Sequence, residues 1–258
     1  MKILFIGDIV GQPGRDVLEK VLPGLKEEKN IDFVVANAEN VAGGSGITAR
    51  TAKDLFKLGC DVLTSGDHVW RRQEILEIID QMSITRPLNL PALSPGRGFI
   101  ICEKDNLKLA VINLQGRVFM PPIDCPFRAV SSILEKIKKE TPNIIVDMHA
   151  EATSEKVAMG WFLDGVVSAV VGTHTHIQTA DEKILPKSTA YITDVGMTGP
   201  CDSVIGRKKE EIIERFLTGL PRHSELGNAD LQLQGVLIEI DQNTGKSVSI
   251  EKVREKIV

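Results

Sequence analysis

The chain has 258 residues, 42% of them hydrophobic, and a net charge of −4, which suits one large or two small globular domains with room for a core. No apolar run approaches the ~20 residues a bilayer span needs, and no dense Lys/Arg stripe offers a long polyanion a surface. Cys60, Cys102, Cys125 and Cys201 lack the C-x-x-C spacing of a zinc ribbon or thioredoxin-type site and read as packed, reduced thiols.

Apolar runs and helix-periodic stretches alternate from end to end. Ile3–Gly7 reads as a strand. Arg15–Glu28 carries Val17, Leu18, Val21, Leu22 and Leu25 on one helical stripe. Phe33–Ala36 is the next strand, and Thr48–Leu58 the next helix, with Thr48 as its N-cap. Val62–Thr64 precedes a helix over Arg71–Met82. Pro87, Pro91, Pro95, Gly96 and Gly98 break the stretch Arg86–Gly98. Leu107–Leu114 is a strand, Phe127–Lys139 a helix and Asn143–Met148 a buried strand. Glu155–Phe162 is a short helix and Val166–Val171 a strand. Ala190–Thr193, Leu231–Ile240 and Ser247–Val253 complete the strands, with Asp241–Gly245 turning a hairpin between the last two. Without a repeat or linker, residues 1–258 are expected to form a single domain. The interleaving predicts an α/β fold with parallel strands, and the β-rich C-terminus predicts mixed sheets. Met1-Lys2 runs straight into the first strand with no signal-peptide features, so a cytoplasmic protein is expected.

In such sheets ligands lie beyond the carboxyl ends of the strands. Four of the five histidines sit there: His68, His149, His174 and His176. Asp8 follows the first strand, Glu39-Asn40 the second and Gly66-Asp67-His68 the third. His174 and His176, two apart, point the same way in an extended segment. Alone, that pair is equally a hydrogen-bonded couple at a strand end, Asp8 a cap and Glu39-Asn40 a turn. Their convergence with the other segments favours a metal site. The carboxylates Asp8, Glu39 and Asp67, the amide of Asn40 and the histidines exceed what one catalytic zinc takes. They suit two ions sharing a bridging carboxylate and a bridging solvent. Mixed O/N ligation without thiolate points to Fe, Mn or Zn rather than Mg or Cu(I), and Fe or Mn is the first expectation. A pair of ions ~4 Å apart serves the in-line displacement of phosphoester hydrolysis. The partner expected is therefore a small phosphoester substrate, with no extended nucleic-acid surface and no membrane.

Asp8, Glu39-Asn40, Gly66-x-His68, His149 and Gly172-Thr-His-Thr-His176 resemble the ordered motifs of calcineurin-like metallophosphoesterases. The fuller strings GDIVGQPGR, NAEN, GGSGIT, DMHAEATSEK, GTHTHIQTAD and TDVGMTGP, from Gly7 to Pro200, are similar to those of the bacterial YmdB-like branch. The resemblance implies a four-layer α/β/β/α metallophosphoesterase sandwich with two mixed sheets and a dinuclear site. It also implies hydrolysis of small phosphodiesters, notably 2′,3′-cyclic nucleotides, together with self-association and a regulatory role. By position it implies Asp8, Glu39, Asn40 and His176 around one metal. Glu39, Asp67, His149 and His174 would surround the other, with Glu39 bridging. His68 falls at the family's catalytic histidine, beside the leaving group.

Two departures stand out. Val10 replaces the histidine of the wider superfamily's D-x-H, and Asp67 replaces the asparagine before the catalytic histidine. An ionised Asp67 cancels the positive charge that two divalent ions, a hydroxide, Asp8 and Glu39 would leave. Asp67 is therefore expected to trade turnover for metal affinity. The alternatives are a phosphomonoesterase or protein phosphatase using the same site, or a metal- or nucleotide-sensing protein with little turnover. Among softer features, Gly43–Gly46 is a candidate phosphate cradle. Arg15, Arg117 and Arg207 are candidate phosphate contacts. Asp194 is a pocket wall or a support, and Asp147 or Glu151 an orienting partner of His149. His223 reads as surface.

Overall fold

The computed structural model describes residues 1–257. The chain opens with β1 (Lys2–Ile6), β2 (Asp8–Ile9), α1 (Gly11–Lys29), β3 (Phe33–Asn37), α2 (Ala49–Lys57), β4 (Val62–Thr64) and α3 (Ile75–Ile78). Then come β5 (Phe99–Lys104), β6 (Leu107–Gln115), α4 (Pro126–Lys138), β7 (Ile144–His149), α5 (Thr153–Phe162) and β8 (Ala169–Thr173). The last third holds β9 (Lys183–Ile184), β10 (Ala190–Ile192), β11 (Met197–Pro200), α6 (Lys209–Thr218), β12 (Leu231–Ile240) and β13 (Ser247–Lys256).

Successive residues of a strand face opposite ways, so the fully buried run Ile3-Leu4-Phe5-Ile6 needs cover on both faces. Leu4 and Ile6 pack with Val17 and Leu18 of α1 and with Ala52 and Leu55 of α2. Ile3 and Phe5 meet Val111, Ile145, Val171 and Ile192 of the opposing sheet. The outer face of that sheet, Ile112, Val146 and Val170, is covered by Val130, Leu134 and Ile137 of α4 and by Met159 of α5. Three apolar seams thus separate four layers, α/β/β/α, as the resemblance implied. The first sheet runs β2-β11-β12-β1-β3-β4 with β13 added on β12, and the second β5-β6-β7-β8-β10-β9. Both are mixed: β1, β3 and β4 are parallel while β12 opposes β1, and β6, β7, β8 and β10 are parallel while β5 opposes β6.

Thr48 caps α2 as expected, accepting from the Thr51 N–H in a reciprocal capping box. The helix expected over Arg71–Met82 shrinks to α3. Arg72 instead reaches the Ala42 and Ser45 carbonyls, and only Ile75 and Ile79 of this stretch are fully buried. Strand β5 was not foreseen. It pairs with β6 through Asp105-Asn106, both at positive φ, a tight hairpin turn made without glycine. The short strands β2, β9 and β11 and helix α6 were also unforeseen.

The carboxyl ends of β1, β3 and β4 in one sheet and of β7 and β8 in the other open onto the same edge. Polar groups stitch the sheets together beneath it. Thr64 donates to Asp147 Oδ2 at 2.5 Å, and Asn37 Nδ2 lies 3.3 Å from the same oxygen.

Candidate metal centre

Each ligand candidate is carried by a strand end. Asp8, entering β2, accepts the His174 N–H at 3.2 Å and faces His176 Nε2 at 3.6 Å. Glu39 follows β3 in a turn where Asn37 Oδ1 accepts the Glu39 N–H at 3.1 Å. Its Oε2 accepts the His68 N–H and faces His149 Nε2, both at 3.2 Å. Asp67, beyond β4, places Oδ1 3.3 Å from His149 Nε2 and 3.5 Å from His174 Nδ1. Ligand atoms of Glu39, Asp67, His149 and His174 all lie within 4.8 Å of one another. Asn40 adjoins this group, its Nδ2 3.2 Å from Glu39 Oε1, 3.2 Å from His176 Nε2 and 3.5 Å from Asp8 Oδ1. Its Oδ1 faces His68 Nδ1 at 2.8 Å, so ligation through that oxygen requires the amide to turn over. Gly66 permits the close approach, since a Cβ there would strike the His149 ring and the Glu39 carboxylate.

Three histidines turn one nitrogen inward and tie the other outside. His149 Nδ1 donates to Thr173 Oγ1 at 2.8 Å, and the Thr173 hydroxyl donates to Asp147 Oδ1 at 2.7 Å. His176 Nδ1 donates to the Ile205 carbonyl at 3.1 Å. His174 Nε2 faces Glu151 Oε2 at 3.2 Å. These partners leave lone pairs inward on His149 Nε2, His176 Nε2 and His174 Nδ1, which is the arrangement metal-binding imidazoles adopt.

The charge balance of this cluster calls for a cation. Asp8 and Glu39 are buried, yet among the described residues only histidines ion-pair with Asp8, Glu39 and Asp67, and no Lys or Arg does. His149 Nε2 and His174 Nδ1 stand 3.0 Å apart, a separation that needs a shared proton or an ion between lone pairs. Burial opposes a charge on Asp8 and Asp67, but His176 and His149 respectively outweigh it and hold both carboxyls below the usual range. Burial likewise opposes a charge on His149 and His176, yet Glu39 and Asp67 raise the first well above its ordinary value and Asp8 raises the second. His174 is lowered by burial and by His149. Burial pushes Asp147 up to about 7, against the pull of His149 and of the Thr64 and Thr173 hydroxyls. A divalent ion replacing the imidazolium protons fits this donor set.

A family model described as YmdB-like protein matches residues 4–253. The chain belongs to the YmdB-like family. It is 49% identical over 254 residues to the 2′,3′-cyclic-nucleotide 2′-phosphodiesterase of Bacillus subtilis strain 168, covering 98% of this chain and 96% of that protein. A hypothetical protein from Thermus thermophilus superposes with a TM-score of 0.94 at 38% identity, over 99% of each chain. A phosphatase from Mycoplasma pneumoniae gives 0.93 at 37%, covering 99% of this chain and 93% of that one. The family is the one that GDIVGQPGR and GTHTHIQTAD resemble.

In this YmdB-like chain Glu39, Asn40, His174 and His176 border a pocket of about 410 Å³, walled also by Val10, Gly44, His68, Thr175, Ile205 and Arg207. Arg207 spends its guanidinium on the Gly44 and Ser224 carbonyls. Arg15 bonds the Val41 carbonyl, and neither it nor Arg117 lines the pocket. Of Gly43–Gly46 only Gly44 reaches it. Glu151 partners His174 rather than His149, which Asp147 reaches through Thr173. His223 is exposed, as expected. Thr173, Thr64 and Ile205 escaped the sequence reading. A hydroxyl beside a ligand histidine is a weak signal, and Ile205 acts through its carbonyl, which no side chain announces.

Proposed function

We propose that the chain is a metal-dependent phosphodiesterase acting on small phosphodiesters, with 2′,3′-cyclic nucleotides as its first substrates. The observation that carries this is the Glu39–Asp67–His149–His174 cluster, whose Glu39 and His174 border a pocket of about 410 Å³ with His68 on its wall. The activity for which the Bacillus subtilis relative is named supports the same reading.

In this proposal two transition-metal ions bind, Fe or Mn first with Zn as the alternative; donors that are all O or N suit any of the three. Asp8, Glu39, Asn40 and His176 hold one; Glu39, Asp67, His149 and His174 hold the other. Bound ions would polarise a water and neutralise phosphoryl oxygens. Thr173, Glu151 and Ile205 keep the histidine lone pairs inward. Glu39 steadies the His68 backbone, and with its amide turned over Asn40 would donate from Nδ2 to His68 Nδ1, leaving the ring proton on Nε2. His68 Nε2 stays available to hand a proton to the departing ribose oxygen, worth about 10²- to 10⁴-fold in rate.

The inter-sheet seam gathers residues from Ile3 to Ile240, which supports one domain. No helix among the described residues is long and apolar enough to cross a membrane. Four free thiols support a cytoplasmic protein, and exposed Ile213, Phe216 and Leu217 on α6 support self-association. The description of the Mycoplasma pneumoniae structure as a phosphatase favours a second reading, monoester hydrolysis at the same site.

The test is metal content by mass spectrometry with hydrolysis of 2′,3′-cyclic AMP, a nucleotide monophosphate and a phosphopeptide by wild type and His68→Ala. Near two metals per chain, preference for the cyclic diester and loss of turnover with metal retained in the variant are expected. Preference for monoesters would establish the second reading. Two metals without turnover would favour a sensing role, and a chain that takes up no metal would end the proposal.

A further inference from the structure

The turn bearing two of the ligand candidates is held in an unfavourable shape. His174 and His176 lie at φ 97° and 64°, a region that side-chain-bearing residues avoid unless their surroundings impose it. Between them, Thr175 donates twice to a single atom: its N–H lies 3.1 Å and its hydroxyl 2.7 Å from Asp194 Oδ2. Lys156 Nζ donates to the same oxygen at 2.7 Å, and the Gly196 N–H donates to Oδ1 at 2.9 Å. Asp194 and Lys156 are both fully buried.

A buried ion pair is a poor device for stability alone, because desolvating both charges offsets their attraction. Its position supplies another reason for it. Lys156 comes from α5, Asp194 follows β10 and Thr175 follows β8, so the pair joins three segments directly behind the ligand turn. A carboxylate can accept from Lys156 and twice from Thr175 at one oxygen, whereas an apolar pair could fill the space but would release the turn.

We propose that Asp194, its charge matched by Lys156, is a positioning residue that grips Thr175 and thereby holds His174 and His176 in their metal-binding conformations. This rests on the metal-site reading above. It assigns a task to the Lys156 of DMHAEATSEK and the Asp194 of TDVGMTGP, neither of which touches the centre.

The test is Mn²⁺ affinity of the metal-stripped full chain, by competition with a coloured chelator, alongside the melting temperature of the stripped protein. Thr175→Val removes the hydroxyl without stranding a charge. Thr175→Ser keeps it. The double variant Lys156→Met/Asp194→Ala removes both charges together with the acceptor that grips Thr175. Thr175→Val and the double variant are expected to weaken Mn²⁺ binding about 10- to 100-fold, the range for groups that orient metal ligands. Thr175→Ser should bind like wild type, and Thr175→Val should melt close to it.

Wild-type affinity in Thr175→Val would overturn the inference. So would affinity losses that merely track lost melting temperature. Should the double variant not fold, Thr175→Val decides alone. A wild-type chain that binds no Mn²⁺ would instead refute the metal-site reading, and this inference with it.

Discussion

Asp67 Oδ1 stands 3.3 Å from His149 Nε2 and 3.5 Å from His174 Nδ1, so one carboxylate oxygen at the edge of the first sheet faces two imidazoles carried by the second. The family resemblance leads one to expect an asparagine at this position. A full negative charge holds a cation more firmly than an amide does, but it also cancels positive charge that an anionic phosphate would meet. Asp67→Asn is therefore expected to raise kcat and to weaken metal retention about 10-fold or more. Metal content after dialysis against a chelator, set beside kcat on 2′,3′-cyclic AMP, measures both. No change in either would sink the charge argument.

Gly66 lets His149 and Glu39 close up against it by having no side chain. Because an added Cβ would meet the His149 ring and the Glu39 carboxylate, Gly66→Ala should displace both. The overpacking should cost about 1–3 kcal/mol in urea unfolding, while the metal is lost almost completely. A variant with wild-type metal content would show that the centre tolerates a wider spacing than the contacts indicate.

The titrating groups give stability and metal affinity opposite pH trends. Burial works against charge on His149 and His176, but Glu39 and Asp67 outweigh it at the first and Asp8 at the second, so both keep a proton to higher pH folded than unfolded. Stability drawn from these pairs is complete below the unfolded value of ~6.5 and fades as pH rises through the folded values. Asp147, pushed up to about 7 by burial, acts in the same direction between its unfolded value and neutrality. A cation must expel the imidazolium protons, so its affinity climbs with pH. The melting temperature of stripped protein should fall as pH rises from about 6.5, and that of loaded protein should not. Calorimetry across a pH series checks this; a stripped-protein melting temperature that climbs over that window would contradict the assignment.

Much of this centre was readable because its parts sit at strand ends, where one residue type per segment stands out against an apolar run. Asp8, Glu39, Asp67, His149 and His174 needed only that pattern and the rule that such ends face a ligand. The four-layer order was less open to inspection. The runs Ile3–Ile6 and Ile144–Met148 declare two buried faces, but only the sorting of alternate residues into separate seams reveals that a second sheet covers one of them. Other features left no local trace. Asp105-Asn106 turns a hairpin without glycine, and strands as short as β9 and β11 lack a period to detect. The apolar spacing of 71–82 suits a helix, yet Arg72 is drawn into contacts with residues 42 and 45, a tertiary demand that overrides propensity.

Glu151 supplies a last test of how the histidines are aimed. Its Oε2 lies 3.2 Å from His174 Nε2, and it is half exposed, so its own contribution to stability is small. Its effect comes through the ring: with Nε2–H engaged, Nδ1 carries the lone pair toward Asp67 and His149. Without an acceptor, His174 can place its proton on Nδ1 and withdraw that lone pair from the centre. Glu151→Gln retains an acceptor and should cost only a few-fold in Mn²⁺ affinity, whereas Glu151→Ala should cost about 10-fold or more. Unfolding of the stripped protein should stay within about 0.5 kcal/mol of wild type in both. Equal affinities for Gln and Ala variants would mean that the tautomer of His174 is set by the metal itself, and that Glu151 only borders the pocket.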